Sequence, residues 1–197
     1  MAVERLGQSE RRKFFREVLL RAVKPVGDFL ERRIGRFGGP AHLRPPGAVA
    51  EDRFSDTCRR CGACVEACPA EAIFSLGDSH GHAAGTPVID PDGAACVVCD
   101  GLKCTHVCPS GALLPLYDAH LIHMGLAEVY EPLCVRTRGE ECELCVARCP
   151  LGAEAIRFDD EGPPVVVEAG CVGCGVCQLA CPTTPKAIVV KPDARRA

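Results

Sequence analysis

Residues 58–69 read CRRCGACVEACP, and this stretch decides the fold. Two residues separate each of the first three cysteines from the next, three residues precede the fourth cysteine, and a proline follows it directly. Thiolates at this spacing hold [4Fe–4S] clusters, because three of them lie on one tight loop while the fourth usually reaches a second cluster. Residues 171–182 repeat the spacing, so a second run of the same kind is predicted there.

Two further groups of cysteines lie between these runs, with wider spacing. Four residues separate the second and third cysteines of group two, and seven separate the first and second cysteines of group three. Each group ends in Cys-Pro, and no cysteine of the chain is left over. We therefore predict four [4Fe–4S] clusters, with all sixteen thiols as iron ligands. The groups are Cys58, Cys61, Cys64 and Cys68; Cys96, Cys99, Cys104 and Cys108; Cys134, Cys142, Cys145 and Cys149; and Cys171, Cys174, Cys177 and Cys181.

Zinc sites and disulfides are the alternative uses of paired cysteines. Zinc takes only four ligands from two Cys-x2-Cys pairs, so the third and fourth cysteines inside each group would be surplus. Structural disulfides rarely join cysteines two residues apart, and the repeated Cys-Pro ending has no role in a disulfide framework. In groups two and three, a [3Fe–4S] cluster or a degenerate site stays open, and the inserted residues are expected to bulge into solvent.

The charge of the chain is unevenly distributed. The formal net charge is −3, but residues 1–37 hold ten Lys and Arg against five Asp and Glu, whereas residues 38–197 hold thirteen against twenty-one. Four oxidised clusters with their thiolates would lower the net charge to roughly −11. A protein of this charge is not expected to bind nucleic acid.

Short apolar segments around the cysteine groups predict an α+β fold. A strand follows each Cys-Pro, a second strand precedes groups two, three and four, and each cysteine loop contains a short helical turn. The chain has no Trp and two Tyr, so a large conventional core is not expected and metal binding should supply much of the folding free energy. We predict two ferredoxin-like [4Fe–4S] dicluster modules of short strands and helices around clusters. The predicted strands are 72–74, 87–89, 112–114, 126–130, 155–158, 165–167 and 187–190.

Composition divides the chain into three parts. A basic N-terminal segment, residues 1–38, contains a predicted amphipathic helix over residues 10–36, with apolar side chains three and four apart and Pro25 as an interruption. This helix could pack on the protein's own body, dock on a partner or lie on a membrane surface. A Pro- and Gly-rich linker occupies residues 39–50. The four cluster motifs fill residues 51–192, at about 51–80, 86–118, 125–160 and 163–192.

The sequence predicts a cytoplasmic address. Arg11 and Arg12 resemble the start of a twin-arginine export signal, but charged residues interrupt the apolar stretch that should follow, and no Ala-x-Ala cleavage site is found. A periplasmic address through this degraded signal, and membrane association, remain alternatives. No stretch is long and apolar enough to cross a membrane.

Two pairings of the cysteine groups are compatible with the sequence. In the adjacent pairing, group one exchanges its fourth cysteine with group two, and group three with group four. In the nested pairing, group one exchanges with group four, and group two with group three. We favour the nested pairing, because groups one and four share one spacing and because it resembles the four-cluster subunits of molybdenum reductases. Its ligand sets are Cys58, Cys61, Cys64 and Cys181; Cys171, Cys174, Cys177 and Cys68; Cys96, Cys99, Cys104 and Cys149; and Cys134, Cys142, Cys145 and Cys108.

Motifs outside the cysteines resemble one family. They are LRPPGA at residues 43–48, GTP at 85–87, CPSGAL at 108–113 and MGLA at 124–127. With the wider spacings of groups two and three, they resemble the NapG/MauM ferredoxin-type proteins, which are accessory to periplasmic nitrate reductase and methylamine dehydrogenase. The resemblance covers about residues 40–192. It implies four [4Fe–4S] clusters and electron transfer from a quinol-oxidising membrane partner to a reductase. Members of that family carry a twin-arginine signal, which is degraded here.

The predicted function is electron transfer without substrate chemistry. The sequence contains no Gly-rich phosphate loop, nucleophile elbow or organised acid–base pair, so no catalytic residue is expected. The six histidines are expected on the surface or in packing. We predict an iron–sulfur protein that passes single electrons as a partner or subunit of a respiratory oxidoreductase. The partner would be a quinol-oxidising membrane protein or a molybdenum reductase, with peripheral membrane contact through residues 10–36. Two alternatives stay open: an accessory protein for maturation or redox sensing, whose clusters are structural, and an enzyme subunit whose active site lies in another chain.

Overall fold

A computed structural model describes residues 42–159 and 161–193 of the chain. The amphipathic helix predicted at residues 10–36, the segment 1–38 and the start of the linker lie outside the described residues. So does Asp160. The described residues belong to one compact unit, and none of their helices has the length and apolar character that a membrane span requires.

Short helices lie beside the cysteine loops. Helix α1 precedes group one, and each of the four later helices contains the third cysteine of its group. The helices are α1 (Glu51–Thr57), α2 (Ala63–Glu66), α3 (Lys103–His106), α4 (Leu144–Ala147) and α5 (Val176–Ala180). Turns of 3₁₀ helix connect them at Asp78–Ala83, Ala119–Leu121, Glu131–Leu133, Val135–Arg138 and Gly152–Glu154. Helix α1, which contributes the buried ring of Phe54, was not expected from the sequence.

In groups one, two and four, a residue in the left-handed backbone conformation connects the cysteine loop to its helix. Gly62 before α2 has φ of 77°, and Gly175 before α5 has φ of 88°. Glycine takes this conformation without a Cβ clash, so it suits these two positions. At the corresponding position of group two, Leu102 has φ of 39°. A residue with a Cβ is strained there by about 1–2 kcal/mol, and Leu102 also packs in the core.

Within residues 42–159 and 161–193, six strands form three antiparallel pairs. They are β1 (Ile73–Ser75), β2 (Pro87–Ile89), β3 (Gly125–Val129), β4 (Ile156–Arg157), β5 (Val165–Val166) and β6 (Ile188–Pro192). The pairs are β1 with β2, β3 with β6, and β4 with β5. The register of the longest pair places Ala127 opposite Val190. The strand predicted at residues 112–114 is reduced to a single bridge between Ala48 and Leu113.

The strand pairs divide the described residues into two halves with the same topology. In the first half, residues 42–118, the strand after group one pairs with the strand before group two. In the second half, residues 119–193 without 160, β4 and β5 stand in the same relation to groups three and four. In the second half, the strand before group three, β3, also pairs with the strand after group four, β6. The bridge between Ala48 and Leu113 has the equivalent position in the first half, before group one and after group two.

The hydrophobic core is small and contains cysteines. Phe54, Leu113 and Ile122 are fully buried, and around them lie mainly Ala, Val, Ile and Leu side chains. Four thiols are buried with them: Cys104, Cys174, Cys177 and Cys181. Because the thiols are part of the core, whatever they bind replaces the apolar packing that a larger core would supply.

Candidate metal centres

Four cavities lie among the cysteine loops, and four cysteines line each of them. Each cavity has a volume of about 340 to 390 Å³, including space open to solvent. Cavity one is lined by Cys58, Cys61, Cys64 and Cys108. Cavity two is lined by Cys68, Cys96, Cys99 and Cys104. Cavity three is lined by Cys134, Cys142, Cys145 and Cys181. Cavity four is lined by Cys149, Cys171, Cys174 and Cys177.

The fourth cysteine of each group crosses to a neighbouring cavity. Cys68 leaves group one for cavity two, and Cys108 returns from group two to cavity one. Cys149 and Cys181 exchange in the same way between groups three and four. The strand pairs cause this exchange, because they bring groups that are consecutive in the chain face to face.

The nested pairing that we favoured from the sequence is therefore wrong. It required Cys181 in cavity one and Cys68 in the cavity of group four, whereas both line cavities of their own half. Shared spacing describes the local conformation of a loop, and it does not report which loops pack together. The short return of the chain through β1 and β2 decides the pairing, because it closes each pair of groups before the next begins.

The wider spacings place their inserted residues mainly in solvent, as expected. In group two, Asp100, Gly101 and Lys103 are exposed, whereas Leu102 is buried. In group three the insertion contains a 3₁₀ turn, Val135–Arg138, and then a run of exposed residues. Arg136 anchors this insertion, with its Nε donating to the carbonyl oxygen of Gly162 at 2.7 Å and its guanidinium 4.1 Å above the ring of Phe158.

Burial raises the pKa of many of the thiols. The pKa of Cys104 rises to about 12, first through burial and then through the neighbouring thiols of Cys96 and Cys99. Burial likewise raises the pKa of Cys174 to about 12 and that of Cys64 to about 11. Thiolates gathered in a poorly solvated space repel one another, so they need a multiply charged cationic partner. Iron supplies that charge when a cluster is bound.

The cysteine sets fit a cluster better than a single ion. Four thiols line each cavity, yet in the described part of the chain no three or more Cys, His, Asp or Glu side chains converge closely enough to hold one metal ion. In a [4Fe–4S] cluster each thiolate binds a different iron, so the sulfur atoms surround a volume instead of a point. Soft thiolate ligands also suit iron–sulfur chemistry.

A backbone N–H donates to one of the crossing cysteines, and hydroxyl groups lie within hydrogen-bond distance of two of them. The N–H of Leu113 lies 3.4 Å from Cys108 Sγ, and the Ser110 hydroxyl lies 3.6 Å from the same sulfur. In the second half, the Thr183 hydroxyl lies 3.2 Å from Cys181 Sγ. Burial raises the pKa of Cys108 and Cys181, but these hydrogen bonds outweigh burial, and the pKa of both thiols is lowered.

Ser110 and Thr183 were given no role by the sequence analysis. Each lies two residues after its crossing cysteine, in Cys-Pro-Ser and Cys-Pro-Thr. A small hydroxyl residue just beyond the proline is the signal that could have identified them, because the turn directs its side chain back toward the sulfur. Hydrogen bonds of this kind tune the reduction potential of a cluster.

Histidines in the described residues contact other groups. His106 Nε2 lies 3.0 Å from the carbonyl oxygen of Leu116, and its ring meets Tyr117 edge-on. His82 pairs with Asp56 at 2.8 Å on the surface. These contacts agree with the expectation of surface and packing roles.

Comparison with known proteins identifies similar chains. Residues 57–112 match a family described as a 4Fe-4S dicluster domain. The ferredoxin-type protein NapG of Escherichia coli K12 is 35% identical over 201 residues, which cover 94% of this chain and 87% of NapG. The methylamine utilization ferredoxin-type protein MauM of Methylophilus methylotrophus is 36% identical over 202 residues, with 95% and 88% covered.

A further relative and one solved structure extend the comparison. MauM of Paracoccus denitrificans is 36% identical over 162 residues, which cover 76% of this chain and 71% of MauM. One solved structure, a formate dehydrogenase–heterodisulfide reductase–formylmethanofuran dehydrogenase complex of Methanospirillum hungatei, is similar with a TM-score of 0.30 and 22% identity. The likeness covers 76% of this chain and about half, 52%, of that one. A TM-score this low does not establish a shared fold.

Proposed function

This chain belongs to the NapG and MauM ferredoxin-type proteins, which are [4Fe–4S] electron-transfer proteins, and we propose that it carries single electrons through four such clusters. The observation that supports this number is the set of four cavities, each lined by four cysteines. The cysteines of each half would then form one dicluster module of two cysteine groups.

All sixteen cysteines serve as iron ligands in this proposal. Cys58, Cys61, Cys64 and Cys108 hold the first cluster, and Cys68, Cys96, Cys99 and Cys104 hold the second. Cys134, Cys142, Cys145 and Cys181 hold the third, and Cys149, Cys171, Cys174 and Cys177 hold the fourth. Each cluster supplies a one-electron redox couple when bound.

The protein itself would bind the clusters, shield the thiols from water and adjust the reduction potentials. Buried apolar residues such as Leu113 and Ile156 line the cavities and exclude water from the thiols. The N–H groups of Leu113 and Ala72, each 3.4 Å from a cysteine sulfur, stabilise negative charge there. Since reduction adds negative charge, these donors favour the reduced state. The potential is thus set by donors and burial that differ from one cavity to the next.

The domain boundaries are part of the proposal. Four cluster motifs occupy residues 51–192, at about 51–80, 86–118, 125–160 and 163–192. The linker predicted at residues 39–50 is corrected in its second part, because residues 43–48 are buried in the first half. Only the start of the stretch is proposed to link the body to a basic amphipathic helix within residues 1–38. Its charge suits a role in docking, either to a redox partner or to the surface of a membrane.

The partner in this proposal is another redox protein of a respiratory system. MauM is named for methylamine utilization, so an oxidoreductase is the expected kind of acceptor or donor. Specifically, a quinol-oxidising membrane protein or a molybdenum reductase would exchange electrons with this chain. We propose a cytoplasmic address, because charged residues interrupt the stretch after Arg11 and Arg12. Cell fractionation tests this, and recovery from the periplasm would overturn it.

Reductive titration tests the electron-carrier proposal. Protein purified without oxygen should contain about sixteen iron and sixteen sulfide per chain and take up about four electrons from dithionite, one for each cluster. The reduced protein should then pass these electrons to an oxidised one-electron acceptor protein in stopped-flow mixing. Bound zinc, or no metal, would overturn the cluster assignment. A full set of clusters that exchange no electrons with any redox protein would favour the accessory role over the carrier role.

A further inference from the structure

Gln178 joins the two halves of the protein. It follows Cys177 directly in helix α5, and it is buried. Its side-chain Nε2 donates to Asp92 Oδ1 of the first half at 2.8 Å. Its Oε1 accepts the backbone N–H of Val190 in β6 at 2.7 Å. The amide of one side chain therefore ties the fourth cysteine loop both to its own sheet and to the turn that precedes group two.

The second and fourth cysteine loops are in direct backbone contact at this place. The N–H of Cys96 donates to the carbonyl oxygen of Cys174 at 3.0 Å. A Cβ on Gly175 would lie only 2.7 Å from the ring of Pro91, so glycine is needed for the close approach. Both Cys96 and Cys174 line cavities, one in each half. One backbone hydrogen bond thus connects the loop that lines cavity two directly with the loop that lines cavity four.

The spatial order of the cavities differs from their order in the chain. Cavities one and two share groups one and two through the crossing of Cys68 and Cys108. Cavities three and four share the other two groups in the same way. The contact of Cys96 with Cys174 joins cavity two to cavity four. The order along the molecule is therefore one, two, four, three, with the cavities of groups one and three at its ends.

We propose that Gln178 and Asp92 are positioning residues that hold the second and fourth cysteine loops together, so that electrons cross between the halves at this contact. The proposal rests on the proposed function, since it assumes a cluster in each cavity. A single electron leaves the site of one loop and arrives at the site of the other, with no bond made or broken and no proton transferred. The first donor is a one-electron carrier protein that meets the chain at cavity one or cavity three.

The two hydrogen bonds of the Gln178 side chain distinguish a positioning role from a purely structural one. The bond to the Val190 N–H satisfies a buried donor within the second half, and it would suffice for a structural role. The bond to Asp92 gives the buried Nε2 a partner outside that half, on an exposed side chain 86 residues away in sequence. Its consequence is the placement of one cysteine loop against the other.

The test uses substitutions aimed at the hydrogen bond between Gln178 and Asp92. Gln178→Glu keeps an oxygen for the Val190 N–H, but it removes the donor and sets two carboxylates against each other. Asp92→Ala is the milder variant, because Asp92 is exposed and its removal leaves no charge behind. The double variant Gln178→Glu with Asp92→Asn restores a hydrogen bond in the reverse direction, from the asparagine amide to the new carboxylate. Arg157→Gln, which breaks a surface pair with Asp159 inside the second half, is the control.

The readout is the electron paramagnetic resonance spectrum of the fully reduced whole chain, together with the rate of electron equilibration after flash photoreduction. Gln178→Glu should lose the magnetic interaction between the halves and slow the slowest equilibration phase several-fold, while the interaction within each half persists. Asp92→Ala should have a smaller effect of the same kind. The double variant should recover both signals, and Arg157→Gln should leave them unchanged.

The iron content of each variant distinguishes failure of the proposed function from failure of the positioning role. If the wild-type chain lacks [4Fe–4S] signals, the proposed function fails and takes this proposal with it. If every variant retains its iron and shows wild-type interaction and equilibration, the proposed function stands and the positioning role is refuted. If Gln178→Glu loses iron, Asp92→Ala decides: unchanged signals in that variant refute the role, and a loss between the halves supports it.

Discussion

Cys68 and Cys108 exchange places: each leaves its own group and lines the cavity of the other. Cys149 and Cys181 repeat the exchange in the second half. Each crossing links two cavities, because a short strand pair brings consecutive cysteine groups together. Loss of one crossing cysteine should therefore reduce iron binding at the cavity that it lines, and not at the cavity of its own group.

Iron counting in double variants checks this exchange. Cys181→Ala combined with Cys134→Ala removes two ligands of one cavity and should cost about one cluster, or four iron. Cys181→Ala combined with Cys58→Ala removes ligands of two cavities and should cost about two clusters. The nested pairing requires the opposite result. Iron and sulfide analysis of protein purified without oxygen measures the difference, and equal losses in the two double variants would contradict the ligand sets.

The hydroxyl of Thr183 should raise the reduction potential of the site that Cys181 serves. It lies 3.2 Å from Cys181 Sγ and already accepts the N–H of Ala187 at 2.8 Å, so its own proton is free to point at the sulfur. A net hydrogen bond contributes about 1 kcal/mol, and a tenfold change in a one-electron equilibrium corresponds to about 59 mV. We expect Thr183→Ala to lower one potential by a few tens of millivolts.

A redox titration followed by paramagnetic resonance measures that shift. Thr183→Ser keeps the hydroxyl and serves as the matched control, with a potential close to that of the wild type. Ser110→Ala should have a smaller effect on the site of Cys108, because its hydroxyl is farther from the sulfur, at 3.6 Å. A higher potential in Thr183→Ala would show that the hydroxyl acts by some other route.

The ion pair between Arg44 and Glu51 should be important for stability. Arg44 is buried, and its Nε donates to Glu51 Oε2 at 2.7 Å. The same guanidinium donates to Thr86 Oγ1 at 2.8 Å and lies 4.5 Å above the ring of Phe54. Breaking a buried pair on one side costs about 3–5 kcal/mol. Because Glu51 keeps partial contact with water, we expect Arg44→Met to lower the free energy of unfolding by about 3 kcal/mol, at the lower end of that range.

Urea denaturation of the cluster-loaded protein, followed through its visible absorbance, measures this loss. Arg44→Met with Glu51→Leu removes both charges and should recover part of it, because no carboxylate remains without its partner. Arg138→Met disrupts the exposed pair with Glu140 and should change stability by less than about 1 kcal/mol. Equal midpoints for Arg44→Met and Arg138→Met would contradict the structural role of the buried pair.

Removal of iron should unfold most of the described chain. The buried thiols Cys104, Cys174 and Cys177 belong to the core, and a small core without its metal is marginal. Circular dichroism before and after chelation measures the change. A protein that keeps its native spectrum without iron would mean that apolar packing alone suffices.

Reassembly with iron and sulfide should become faster as the pH rises from about 7 to about 9. Because the iron-free chain is expected to be unfolded, its thiols have an ordinary pKa of about 8.5, and few of them are ionised at neutral pH. Iron binds the thiolate, so each unit by which the pH rises toward this pKa increases the reactive fraction by up to about tenfold. The visible absorbance during reconstitution measures the rate. A rate that falls over this range would show that thiol ionisation does not limit assembly.

Much of the structure could be predicted from the residues alone. Strands β1 to β6 lie within one or two residues of the segments expected after Cys-Pro and before the groups, because alternating apolar residues beside a cysteine loop have few other uses. Helix α1 was missed, since EDRFSDT carries no helix signal stronger than its acidic first turn. Its formation depends on burial of Phe54 against the first cavity.

The sequence by itself determined the chemistry, because spacing and Cys-Pro endings are local properties that identify thiolate loops wherever they occur. Only the tertiary structure decided which loops share a cavity, since loops of equal spacing can pack with any partner and the strand pairs make the choice. It also revealed the contact of Gln178 with Asp92 and of Cys96 with Cys174. These contacts join residues far apart in the chain, and such contacts leave no trace in local spacing.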